Sequence, residues 1–86
     1  MGKGVAIAVR VSNRIDEVPD VQKVFTQYGC SIKSRLGLHE VSDNSCAKDG
    51  LIILVCVGQE NELKSFVQDL NKIAGVKAAS MDLPVF

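Results

Sequence analysis

The sequence predicts an α+β fold: a two-layer sandwich of one four-stranded antiparallel sheet with two helices on one face. Three observations carry that reading. Residues 51–58 (LIILVCVG) form the most hydrophobic run, bounded by Gly50 and Gly58, too short to cross a membrane and rich in residues that suit a strand. Residues 3–11, 31–39 and 76–83 alternate in polarity, as half-buried strands do. Two further stretches carry apolar residues at helical spacing, each on a single stripe.

The first strand, residues 3–11, places Val5, Ile7, Val9 and Val11 on one face and Ala6, Ala8 and Arg10 on the other. A loop, residues 12–16, leads to a first helix. Asp16 is a candidate cap, Glu17 sits near the positive end of the dipole, and Pro19 suits a first turn. Val21, Val24, Phe25 and Tyr28 then make one apolar stripe, and Gly29 is placed for a left-handed helix end. In the second strand Ile32, Ser34, Leu36 and Leu38 share a face, with Lys33, Arg35, Gly37 and His39 opposite. Charges on one side suit a sheet edge.

Residues 40–49 are polar and read as a long connection, with Asp49-Gly50 as a turn signal. The central strand follows. It lacks alternation, so both faces are expected to be apolar: Ile52, Leu54 and Cys56 on one, Ile53, Val55 and Val57 on the other. Asn61 is a candidate cap for a second helix with Leu63, Phe66, Val67, Leu70 and Ile73 at helical spacing, ended by Gly75. The last strand puts Ala79, Met81 and Leu83 on one face. The order β-α-β-β-α-β, with right-handed crossovers, implies the ferredoxin-like strand order 4-1-3-2 over a single domain spanning residues 1–86.

A chain of 86 residues has a thin core, and self-association is a common remedy. Both helices go to one face of the sheet, so the other is left bare. Ala6, Ala8, Ile53, Val55 and Val57 are the candidate oligomer interface, because a bare apolar sheet face marks an interaction surface. A homo-oligomer, dimer or tetramer, is expected; fold-back of Pro84-Val85-Phe86 over part of this face is the alternative. Ten cations balance ten anions, which argues against binding nucleic acid mainly through phosphates. Three cysteines without regular spacing, no leader-like hydrophobic segment and no transmembrane run suggest a cytoplasmic chain with reduced thiols and no membrane contact.

Catalytic signatures are missing. Cys56 reads as a buried inert thiol, Cys30 as a packed small residue, and Cys46 as the most exposed of the three, without a His base. His39 with Cys46 and Asp43 falls short of a zinc ligand set, so no metal and no cofactor is expected. Gly2-Lys3-Gly4 precedes a strand, the wrong context for a phosphate loop. The loop at residues 12–15 has neither the Val-Gln-Gly-Val pattern of acylphosphatases nor the Met-x-Cys-x-x-Cys of metallochaperones. A binding module remains, with Asn13, Arg14, Arg35 and His39 as weak ligand-binding candidates: the two arginines suit a carboxylate or another anion.

Residues 35–40 (RLGLHE), the loop 44–50 (NSCAKDG), the strand 51–55 (LIILV) and residues 70–77 (LNKIAGVK) form a pattern together with Tyr28-Gly29 and Ile32. That pattern resembles the family of iron-only hydrogenase system regulators. The resemblance implies an ACT-like version of the ferredoxin-like fold, akin to the effector domain of nickel-responsive repressors. It implies a transcriptional or regulatory role linked to iron-only hydrogenase maturation; with the element order and the bare sheet face, a non-enzymatic domain that senses a small ligand or a partner protein is expected. No catalytic residue comes with it. A structural interaction subunit without ligand is the alternative, ahead of an acylphosphatase-like enzyme.

Overall fold

The computed structural model describes residues 3–12, 14–41 and 46–83. In order, the elements are β1 (Lys3–Val11), α1 (Arg14–Gln27), one 3-10 turn (Gly29–Ser31), β2 (Ile32–Val41), β3 (Cys46–Gly58), α2 (Glu60–Asn71) and β4 (Val76–Asp82). The four strands form one antiparallel sheet in the order β2-β3-β1-β4, so the two expected central strands are central. This is the ferredoxin-like α+β plan read from the sequence.

The core lies between the helices and one face of the sheet. Val5, Ile7, Val9 and Val11 of β1 and Leu54 and Cys56 of β3 are buried there against Val21, Phe25, Leu63, Phe66 and Leu70 of the helices. The period-2 geometry of the strands and the single stripe on each helix dictate this arrangement. Phe66 is its hub. The Tyr28 ring stacks on it at 4.5 Å, and Phe25 meets it edge-on at 6.1 Å. Two side-chain bonds tie the α1 end to α2: the Tyr28 hydroxyl donates to Asp69 at 2.6 Å, and the Ser31 hydroxyl donates to Glu62. Gly58 leaves room for the second bond, since a Cβ there would stand 3.1 Å from Ser31 Oγ.

Several local expectations are corrected. Helix α1 begins at Arg14, which moves Pro19 out of the first turn to an interior position where it removes one intrahelical bond. The side chains of Asp16 and Glu17 lie outside the described residues. Gly29 does not end α1 in a left-handed cap; the chain continues into the 3-10 turn, closed by Ser31 N–H on the Tyr28 carbonyl. Gly75 is the described glycine with positive φ, 80°, where the chain reverses into β4. The α2 cap position is Gln59 rather than Asn61. Asn61 sits inside the first turn and accepts the Glu62 N–H at 2.9 Å.

Glu40, Val41 and residues 46–49, expected as loop, are strand, because a neighbouring strand pairs backbone regardless of side-chain polarity; residues 42–45 lie outside the described residues. Asp49-Gly50 is therefore no turn: Gly50 pairs with Val11 on one side and His39 on the other. The expected shared face of Ile32 and Leu36 also fails. A bulge between Ile32 and Ser34 adds one residue to β2, turning Ile32 toward the core beside Cys56 while Ser34 and Leu36 face away.

Candidate functional site: the open face of the sheet

The sheet face away from the helices carries the candidate site. Its residues are those of odd number in β3 and even number in β1, as the alternation within each strand requires. The register sets them in rows across all four strands. One row reads Leu36, Ile53, Ala8, Ala79; the next reads Ser34, Val55, Ala6, Met81. Leu36 is 57% exposed and Met81 66%, the two large apolar side chains most open to solvent among the described residues. Ile53, Val55 and Val57 are half-buried, Ala6 half-buried and Ala8 exposed. The five residues expected to form an interface thus share one face. Leu36, Ala79 and Met81 join them, the first hidden from sequence reading by the bulge.

At one end of this face Arg10 stands opposite Lys77 across the β1–β4 ladder, beside Leu51. A shallow depression runs along the β4 side over Ala6, Ala8 and Ala79, between Ile53 and Met81. The outer edge of β4 is partly closed. Asn71, at the α2 end, lays its side-chain amide along that edge, donating to the Ala78 carbonyl at 2.9 Å and accepting the Ala78 N–H at 2.7 Å. It takes the place that a fifth strand would occupy.

The other candidate residues are not brought to this face. Arg35 lies on the helix side, its guanidinium 5.2 Å from the Phe25 ring centre and its Nη1 donating to Gln22 at 3.5 Å. Its cation is thus engaged on an aromatic ring. Asn13 lies outside the described residues, as do the side chains of Arg14, His39 and Cys46 and the segment Pro84-Val85-Phe86. The backbone sets His39 opposite Gly50 and Cys46 opposite Val41. Among the described residues no three metal-ligating side chains cluster.

Cys56 is fully buried, and burial pushes its thiol up to about 11. Cys30, expected to pack, is exposed. The Tyr28 hydroxyl is pushed up to about 12, first by its bond to Asp69 and then by burial. At the other end of the sheet Lys3 bridges Glu60 at 2.9 Å and Asp82 at 3.1 Å, on the surface. These bonds raise the lysine pKa and, on the Glu60 side, lower the carboxylate's.

No protein-family profile matches the chain, and no curated protein matches it. Solved structures do. The uncharacterized protein TM1266 from Thermotoga maritima is similar over 96% of this chain and 99% of its own, with 17% identity and a TM-score of 0.83. An unknown protein from Galdieria sulphuraria is similar over the whole of this chain and 48% of its own, at 13% identity and a TM-score of 0.67. The apo form of CPII from Thiomonas intermedia K12, a nitrogen regulatory PII-like protein, covers 96% and 95%, at 10% identity and 0.53. Likeness at these identities establishes a shared ferredoxin-like fold. Among the described residues no helix is long and apolar enough to cross a membrane.

Proposed function

We propose that this chain is a non-enzymatic regulatory and binding domain, which senses a small ligand or a partner protein as part of a homo-oligomer. The observation that carries the proposal is the open sheet face. A chain that leaves Leu36, Met81 and the half-buried Ile53 and Val55 in solvent has an interaction surface to cover. The shared fold supports it: CPII, a nitrogen regulatory PII-like protein, has been seen bound to ADP, AMP and acetate. The sequence resemblance adds the link to iron-only hydrogenase maturation.

The test is a thermal-unfolding screen of the full chain against ADP, AMP, amino acids and divalent metals. A ligand present at 100 times its Kd stabilises the folded state by about 2.7 kcal/mol, a shift of roughly 10–20 °C in a domain of this size. No shift with any compound overturns small-molecule sensing. The reading as a pure interaction subunit then takes over, favoured by the shallowness of the depressions on the described surface. Turnover of a simple acyl phosphate would overturn the non-enzymatic reading.

A further inference from the structure

We infer that the open face is built to pack on a second copy of itself, about a twofold axis running parallel to the strands between the two sheets. The inference rests on the reading of this face as an interaction surface and specifies its partner. Such an axis lays β2 of one copy over β4 of the other, and β3 over β1. The register then sets each bulky residue above a small one. Leu36 meets Ala79, Ile53 meets Ala8, Val55 meets Ala6, and Met81 meets Ser34. The relation is reciprocal, as a twofold interface requires. An axis running across the strands instead sets Ile53 over Val55 and Ala8 over Ala6, bulk against bulk and hollow against hollow.

Four strands about 4.8 Å apart, and seven residues at about 3.3 Å each, give a footprint of roughly 19 by 23 Å. Two such faces remove roughly 900 Å² before side-chain relief is counted, just under the ~1,000 Å² that a stable interface clears, which suits a reversible dimer of micromolar affinity. Sheets packed this way keep their strands within about 30° of alignment, which preserves the row-on-row match. The side-chain clamp of Asn71 on Ala78 meanwhile obstructs association through the β4 edge.

Sedimentation equilibrium on the full chain tests this pairing. The wild type is expected to dimerise at micromolar concentration. Ala79→Leu fills the hollow that receives Leu36 and should weaken dimerisation by at least about tenfold. Leu36→Ala removes the knob and weakens it too. The double variant exchanges knob and hollow and should return the Kd to within about threefold of wild type. Both positions are exposed, so the variants fold, and far-UV circular dichroism checks that they do. A wild type monomeric at about 100 µM, a dimer indifferent to Ala79→Leu, or a double variant no better than the singles overturns the pairing. Ligand-induced stabilisation of a monomeric wild type would overturn it too, while leaving the regulatory reading standing.

Discussion

The two faces of the sheet are made by the same strands and obey opposite rules. On the helix side Ile7, Val9, Leu54 and Cys56 are fully buried and packed around Phe66. One residue along each strand, Ala8 is exposed and Ile53 and Val55 are half-buried. Strand propensity cannot account for the difference, since the central strand is apolar on both faces. What differs is the cover: α1 and α2 each offer one apolar stripe, enough for one side of the sheet. The helix side therefore holds the fold together, and the other side is left open to solvent.

Matched substitutions across β3 give the largest expected effect. Leu54→Ala leaves a cavity under Phe66 and should cost roughly 2–5 kcal/mol, read as a fall in the urea midpoint. Ile53→Ala, one residue away, should cost less than about 1.5 kcal/mol in the dissociated chain, while weakening self-association. Equal costs would mean that the open face is covered within the chain, and the comparison would collapse.

The next contrast concerns the sheet's edge. Asn71→Ala removes both bonds to Ala78 and should cost about 1 kcal/mol, since the site is exposed and water replaces part of the loss. It also bares the β4 backbone, so the variant should aggregate faster at high concentration, measured by light scattering. Unchanged aggregation would show that the clamp does not guard the edge.

The smallest effect sharpens the covered side. Cys56 and Tyr28 have pKa values pushed up from 9.0 to about 11 and from 10.0 to about 12. Both groups are neutral when protonated, and the folded chain holds those protons to higher pH than the unfolded one. Their contribution is complete below about pH 9 and is lost as pH rises through 11 and 12. Urea midpoints should therefore fall across that window. Tyr28→Phe should cost about 1 kcal/mol near neutrality, by losing the bond to Asp69, and should flatten the upper part of the fall. An unchanged slope would assign the alkaline loss to Cys56 alone.

Much of this is legible in the sequence. The alternation in residues 3–11, the two helical stripes and the unalternating run at 51–58 were enough for the element order and the central pair. They also offer Ala6 and Ala8 with Ile53, Val55 and Val57 as one shared face, while which parity of the central strand the helices cover is left to the tertiary structure. The reason is that hydrophobic periodicity is a local property, and burial on one face of a strand or helix writes it directly into the chain.

Other features were settled by distance in space. The bulge after Ile32 moved Leu36 to the open face, because register depends on what β3 presents, not on β2's own pattern. Residues 46–49, with Lys48 and Asp49 among them, are strand because β2 lies beside them. Asn71 reads as a helix residue until β4 passes within hydrogen-bond reach. The row of Leu36, Ile53, Ala8 and Ala79 unites four strands separated by as many as 71 positions along the chain. What the sequence determined alone was which residues need cover. The tertiary structure decided which of them face the same way, because cross-strand neighbours are chosen by pairing and not by proximity in the chain.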